Sequence, residues 1–361
     1  MKKTILGLTL IAAVPAVAVA ATMIGWGNVL QTLPGGREPV NVTILYAEEK
    51  KALLKNPAIR EIIEGRYRIT LKAIEADSTE MATSLDTTGK DCIWSSTLAA
   101  VELAGSSGQS ARDQAIYGSP LVFYTWAEVA DALFVQGAVT KDGAQYVADV
   151  AAILNMVAEG KQWQADLGVD IDGPFQVFSA HPATSTAGII WAGLLATVLN
   201  AGEAPTSSDL TVLLPKVRAY FDAMGRMEPS SGDDFESFLM QGMDARPIMV
   251  GFENAVIEFL TQHPRYADLI RDQIRVIYPE PTIFSSHPLI ALHPRCERFS
   301  EALQDPDIQT IARTENGFRI GPAGHETKPA AAPFADLPEN MGLAMPLPSA
   351  DVMNAVVGAV R

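Results

Sequence analysis

Catalytic signatures are the first thing this sequence lacks. It contains no G-x-S-x-G, no G-x-x-x-x-G-K-[ST], no G-x-G-x-x-G, no C-x-x-C and no H-E-x-x-H. Those patterns expose a nucleophile, cradle phosphates, hold a redox pair or ligate zinc. Without them, no motif supports an enzyme. Cysteine is scarce as well. Cys92 and Cys296 are the only two, too few for a disulfide framework, and sequence leaves open whether they meet. Cys92 sits in the strand-like run DCIWSS and reads as a small core residue. His181, His263, His287, His293 and His325 are scattered. His287 and His293 flank one strand-like run without the cysteine or acidic company of a metal site. Neighbouring acids such as Glu48-Glu49 and Asp233-Asp234 point apart on a strand or helix and form no dyad. Basic charge is in deficit: 27 Lys and Arg against 42 Asp and Glu, a net charge of -15. Nucleic acid and anionic membrane surfaces are therefore not expected partners.

Long apolar runs are absent too, with one exception at the N-terminus. MKKTILGLTLIAAVPAVAVAA has a basic start at Lys2 and Lys3, an apolar stretch from Ile5 to Val19 and a small-x-small site at Ala18-Val19-Ala20. It reads as an export signal over residues 1–21. The alternative is an uncleaved anchor over residues 5–24, which Pro15 and the alanine content weaken. Residues 22–39, with LPGGREPV, read as a linker. The rest is globular: 48% of all residues are hydrophobic and 19% charged, and 361 residues call for two lobes.

What is present alternates between strand and helix. VNVTILYA and YRITLKAIEAD read as strands, separated by the helical EEKKALLKNPAIREIIEG with an interruption near Pro57. KDCIWSS is a third strand, with TLAAVELA a helix after it, and SPLVFYTW a fourth. AEVADALFVQG and AQYVADVAAILNMVAEG read as helices, and GPFQVFSAHP as a strand. DLTVLLPKVRAYFDAMG is helical, with a break expected at Pro215. ARPIMVGFENAVIEFL runs from strand into helix. IRVIYPEPTIFSSHPLIAL is one or two strands, and CERFSEALQDPDIQTIARTENGFRIG is two helices split at DPD. Residues 322–345 are rich in Pro and Ala and read as an extended wrap. PSADVMNAVVGAVR is a short amphipathic helix that docks on the body. This alternation predicts an α/β fold with mostly parallel sheets, in which ligands bind beyond the C-terminal ends of strands.

Hydroxyls gather at those ends. Ser78 and Thr79 follow the second strand, Ser95 and Ser96 the third, and each is also an ordinary helix cap. Asp77 fits a ligand amine or hydroxyl, or a plain turn. Thr184, Ser185 and Thr186 precede Gly188 and a long apolar helix. One caps the helix; the unpaired N–H groups there also suit an anion or carboxylate. Ser119 opens the fourth strand. Ser230, Ser231 and Gly232 form a further cap, and Glu253 and Asn254 follow a late strand. Trp94 and Trp126 fit buried packing better than stacking on a ligand.

Several segments together carry a family resemblance. PTIFSSHPLIALHPRCERFSEALQDPDIQTIARTENGFRIG resembles the C-terminal part of bacterial extracellular (periplasmic) solute-binding proteins of type 2, in the molybdate-binding-like branch that serves ABC importers. ITLKAIEADSTEMATSLDTTGKDCIWSS resembles the family's early strand–turn–helix–strand passage. YGSPLVFYTW resembles the strand crossing into the second lobe, and HPATSTAGIIWAGLLATVLNAGE the second-lobe ligand helix. ARPIMVGFEN is similar to the late second-lobe strand, and MPLPSADVMNAVVGAV to a C-terminal helix of one branch. The likeness covers residues 40–361 and rests on order and spacing.

The resemblance implies a two-lobed α/β fold, with lobe I at 40–122 plus 281–361 and lobe II at 123–280. Its implied ligand residues are Glu48, Asp77, Ser78, Thr79, Ser95, Ser96, Ser119, Thr184, Ser185, Thr186 and Glu253. It implies a monomeric periplasmic or extracellular binding protein for a small polar or anionic solute. An ABC transporter permease is the implied partner, with no cofactor, metal or catalysis. The alternative is a membrane-anchored receptor or assembly protein on the same fold. One departure bears on the ligand. Where molybdate binders place hydroxyls, this chain has Ala47-Glu48-Glu49-Lys50. A carboxylate there repels an oxyanion unless Lys50 or Lys51 offsets it.

Overall fold

Two sheets, each packed against helices, organise the chain. The computed structural model describes residues 37–76, 81, 86–96, 112–143, 145–225, 227, 234–320 and 344–360. The expected export segment, Asp77, Ser78, Thr79, the TLAAVELA helix, Ser230, Ser231, Gly232 and most of the 322–345 wrap lie outside those residues.

The first sheet has the order β2-β1-β3-β11-β4. Its strands are β1 (Val40–Ala47), β2 (Ile69–Ala76), β3 (Cys92–Trp94), β4 (Arg112–Ala115) and β11 (Pro288–Ala291). β1 runs parallel to β2 and β3, while β11 is antiparallel to β3 and β4. β1 lies between two partners, and its last four residues are all buried. Its apolar, β-branched run suits a central parallel strand covered on both faces. Helices α1 (Lys51–Lys55) and α2 (Pro57–Glu61) follow it. Asn56 separates them: its side chain accepts from the N–H groups of Ala58 and Ile59, and Pro57 takes the first helical position, where its missing N–H costs nothing.

The second sheet has the order β12-β10-β5-β9-β7-β6, with β8 also paired to β5. It comprises β5 (Ser119–Trp126), β6 (Val139–Asp142), β7 (Gln145–Asp149), β8 (Ile248–Phe252), β9 (Ile274–Glu280), β10 (Thr282–Ser285) and β12 (Ala344–Met345). Around it lie α3 (Ala127–Val135), α4 (Val150–Ala158), α5 (Thr186–Leu199), α6 (Leu210–Met224), α7 (Asp234–Ala245), α8 (Glu253–Gln262) and α9 (Ala267–Gln273). α5 is apolar on every side, and its residues from Thr186 to Thr197 are all buried. A helix of that kind belongs inside a core. Trp191 on α5 meets Phe123 of β5 and Tyr220 of α6 edge-on or tilted. α10 (Arg295–Leu303) and α11 (Pro306–Thr314) return to the first lobe, where Phe299 and Phe318 close an aromatic cluster with Trp94 and Tyr117. α12 (Ala350–Val360) ends the described chain.

Most expected elements stand, but the second sheet is not mostly parallel: β5 runs antiparallel to β8, β9 and β10, and β6 to β7. The other departures have physical causes. The AQYVADVAAILNMVAEG stretch starts as strand β7 and turns helical at Val150, because the Asp149 side chain caps the Ala152 N–H. Pro215 sits inside α6 without ending it. GPFQVFSAHP makes only isolated bridges, such as Phe178 with Met249. IRVIYPEPTIFSSHPLIAL forms three strands, because β10 and β11 belong to different sheets. The tail also differs from its expected lobe. β12 pairs with β10, and Val352 and Val356 of α12 join the core of the second lobe. The expected assignment of 281–361 to lobe I is thereby corrected for 344–360.

The chain passes between sheets from β4 to β5 and returns from β10 to β11. These passages run side by side: Ser119 is registered with Ser285, and Gly118 bridges Arg319. Cys92 and Cys296 form a disulfide that ties β3 to α10 across 204 residues of sequence, and neither residue is exposed. Replacing both cysteines with alanine is expected to cost about 2–4 kcal/mol in urea unfolding. A loss under about half of the lower figure would show that the denatured chain is not constrained as that loop length implies.

Candidate functional site

A cleft of about 540 Å³ opens where the lobes face each other. The first lobe contributes the turn after β1, with Glu48 and Glu49, the start of α1–α2, and Glu315 and Asn316 beyond α11. The second contributes α8, with Asn254, Glu258 and Phe259, together with Phe235 and Phe252. Its size suits a small organic solute.

The first-lobe wall rests on a buried polar knot. Glu48–Lys50 form a single 3-10 turn off the end of β1. Lys50 is wholly buried, and its ammonium donates to Ser96 Oγ. Ser96 in turn donates to Glu49 Oε2 at 2.9 Å, and Lys50 Nζ lies 3.7 Å from the same oxygen. Burial pulls the Lys50 ammonium down to about 8, against the opposing pull of Glu49. The Ser96 carbonyl accepts from Ser285 Oγ at 2.7 Å, and Ser285 lies 3.3 Å from His287 Nε2. Burial, then the Lys50 charge, hold the His287 imidazole well below its usual range, so it is neutral at pH 7. The ends of β1, β3 and β10 are thus joined beside the passage between lobes.

Across the cleft, Glu258 is partly buried on α8 and accepts from Asn316 and Gln262, each at 3.4 Å. Burial lifts its carboxyl to about 7; the two amide contacts oppose the rise, and the Glu49 charge adds to it. Two buried acceptors at the cleft, Glu49 Oε1 and Asn316 Oδ1, have no partner among the described residues. Among the described residues, no group of three or more His, Cys, Asp or Glu is arranged to hold a metal ion.

α8 is fixed from below by a second buried cluster. Arg319 is fully buried, and its guanidinium makes a two-pronged contact with Glu253 at 2.8 and 2.7 Å. Tyr278 donates to Glu253 Oε2 at 2.5 Å. Ser119 Oγ donates to Asn254 Oδ1 at 2.6 Å. Arg319 comes from the first-lobe return, Glu253 from the first turn of α8 and Tyr278 from β9, so the pair spans the passage between lobes.

Comparison with solved structures places this arrangement. The sulfate-binding protein SubI from Mycobacterium tuberculosis superposes with a TM-score of 0.51 at 14% identity, over 87% of this chain and 96% of that one. The periplasmic binding protein P5PA gives 0.54 at 12%, over 90% and 100%. The apo ferric ion-binding protein A from Pasteurella haemolytica gives 0.52 at 11%, over 89% and 94%. This chain has the two-lobed fold of periplasmic solute-binding proteins. No family model and no curated protein matches the sequence. The likeness shows the fold; it does not single out the molybdate-binding-like branch. A sulfate binder and a ferric-ion binder share it, so the fold leaves the charge of the ligand open.

Within the solute-binding-protein fold, the sequence-predicted residues divide. Glu48 lines the cleft, and Ser96 stands one bond behind it, holding Glu49. Ser95 is buried, with its N–H donating to Pro288. Ser119 belongs to the passage between lobes, bonded to Asn254. Thr184 is exposed. Ser185 caps α5 by accepting from the Gly188 N–H at 3.3 Å, and Thr186 is buried in the first turn. None of the three lines this cleft. Gly188 is there for space: a Cβ would lie 2.4 Å from the Ala180 carbonyl oxygen. Glu253 is corrected from a ligand contact to a partner of Arg319, because both its oxygens are taken inside the protein. Trp94 is buried in the first-lobe core and Trp126 is partly buried against Phe238, as packing groups. The sequence reading missed Glu258 and Asn316. The signal for Glu258 was a lone acid within NAVIEFL, where neighbouring positions are core.

Two outcomes are expected. Arg319→Met leaves the Glu253 carboxylate buried without its cation and should cost about 3–5 kcal/mol in denaturant unfolding. Adding Glu253→Gln should recover part of that loss, and failure of the double variant to recover any would refute the pairing. The folded Glu258 carboxyl titrates above its ordinary 4.5, so its contribution to stability is whole below that pH and is lost as pH rises through about 7. Melting temperatures of the wild type should therefore fall relative to Glu258→Gln between pH 5 and pH 8. A pH-independent difference would show that the carboxyl is solvated.

Proposed function

We propose that this chain is an exported solute-binding protein that captures a small polar ligand between its lobes and delivers it to an ABC-type importer in the membrane. The observation that carries this reading is the cleft itself, walled by both lobes and flanked by the paired passages between them. Solved structures with the same fold include a sulfate-binding and a ferric ion-binding protein, which supports it further. Closure is a hinge motion about the segments joining β4 to β5 and β10 to β11. Ligand shifts the population towards the closed form, which the importer recognises. Binding alone suffices; no covalent step is required. In this reading Glu48 and Asn254 contact the solute from opposite lobes. Ser96 acts through Glu49, and Ser185 keeps α5 ordered. The expectation of a polar solute suits this wall better than that of an anion, since Glu48, Glu49, Glu236, Glu258 and Glu315 outnumber Lys51 and Lys55.

A bound solute at 100 times its dissociation constant should add about 2.7 kcal/mol of stability. A thermal-shift screen over amino acids, amines, sugars, carboxylates and oxyanions, followed by small-angle scattering with each hit, checks this. A melting shift with a smaller radius of gyration is expected for one solute class. No shift and no compaction with any class would sink the binding-protein reading and favour an anchored receptor.

A further inference from the structure

We infer that the solute is an organic cation, an amine or guanidinium carried on an apolar body. The inference rests on the solute-binding reading above and names the ligand class of that same cleft. Its first support is the pair of orphaned acceptors. Glu49 has a side chain only 5% exposed, yet among the described residues Oε1 has no hydrogen-bond partner. Asn316 is 4% exposed, and its Oδ1 is likewise unpartnered while its amide nitrogen donates to Glu258. Both residues line the cleft. A buried acceptor left unmade costs about 1–3 kcal/mol, so a site that keeps two of them asks for a donor from outside. An anion brings acceptors and would leave both unmet. An ammonium brings three donors and a guanidinium five.

The charge of the walls points the same way. Glu49 from the first lobe lies close enough to Glu258 of the second that its charge adds to the rise of the Glu258 carboxyl. A cation between them removes that repulsion and links the lobes. Of the lysines near the cleft, Lys50 is committed to Ser96 and Glu49 and Lys51 to Glu75 at 3.1 Å, while Lys55 lines the cleft as an exposed side chain. A bare metal ion fits poorly, because the described residues offer no metal-ligand group and the cleft is far larger than an ion. Phe235, Phe252 and Phe259 supply apolar and aromatic surface on the second-lobe wall, suited to an alkyl or aryl body and to cation–π contact.

The test uses the full exported chain and isothermal titration calorimetry with butylamine, 1,4-diaminobutane, phenethylamine and agmatine. Butyrate, phenylacetate, sulfate and maltose serve as the matched anions and neutral solute. At least one amine or guanidine should bind, with affinity reduced tenfold or more in Glu49→Gln and in Glu258→Gln. Both variants preserve shape, and circular dichroism melting confirms that they fold. Binding should also tighten from pH 6 to pH 8 as Glu258 ionises. The charged and titratable groups that share the cleft with it are Glu48, Glu49, Glu236, Glu315, Lys51, Lys55 and His263; Glu258→Gln should abolish its part of the pH slope. Binding of an anion or of maltose with no response to any cation overturns the cation inference and leaves the solute-binding reading intact. Cation binding unaffected by both substitutions overturns the assignment to this cleft. No binding by any compound here, together with a blank in the wider solute screen, overturns both.

Discussion

Arg319 is a full charge with no access to water, and Glu253 is what neutralises it. Such a pair adds little net stability, because removing two charges from water offsets most of their attraction. What it supplies is geometry. The guanidinium fork accepts one orientation of the carboxylate, and Glu253 is the first residue of α8. Fixing that residue fixes the helix that carries Asn254, Glu258 and Phe259 to the cleft. Tyr278 and Ser119 lock the same corner from β9 and β5. The second-lobe wall is thus registered against the passage between lobes, whatever the rest of that lobe does.

The first-lobe wall is registered by different means. Lys50 is buried beside Ser96 and Glu49, and Ser285 reaches back from β10 to the Ser96 carbonyl. β1, β3 and β10 therefore end in one hydrogen-bonded knot. His287, neutral and packed edge-on against Phe318 at 5.1 Å, closes it on the side of β11. Two polar clusters, one under each wall, flank the passages, while the apolar cores lie farther out in each lobe. Polar groups there fix orientation more sharply than apolar packing does, since hydrogen bonds have narrow angular tolerance.

The sequence made the fold legible because its strands are long, apolar and β-branched, and its helices are capped. VNVTILYA and SPLVFYTW match β1 and β5 from end to end. It was less clear on the tail: an amphipathic helix such as α12 shows that it docks but not where, and the partner surface on α5 and α6 lies over 100 residues away in the chain. The site was legible in part. Counting hydroxyls at strand ends found Ser96, yet also drew in Ser185, whose oxygen is used by its own helix. The same spacing serves caps and ligands alike, so local pattern cannot separate them. Glu253 misled for a related reason: a carboxylate opening a helix looks available until its distant partner, 66 residues on, is known.

Glu49 and Glu258 bear most on what the cleft holds. Both walls are acidic, and the Glu49 charge raises the cost of ionising Glu258. Had the cleft evolved for an oxyanion, the residues after β1 would be expected to offer N–H or hydroxyl donors. Here the turn instead presents Glu48 and Glu49, with Lys50 drawn inward to support them. The inward lysine orients and partly compensates the Glu49 carboxylate through Oε2, while Oε1 stays buried with no partner among the described residues. That arrangement prepares an acceptor in advance of a donor, and preorganised acceptors bind at smaller cost than ones that must be ordered on contact. The fold permits either sign of ligand; the chemistry of these two walls selects between them.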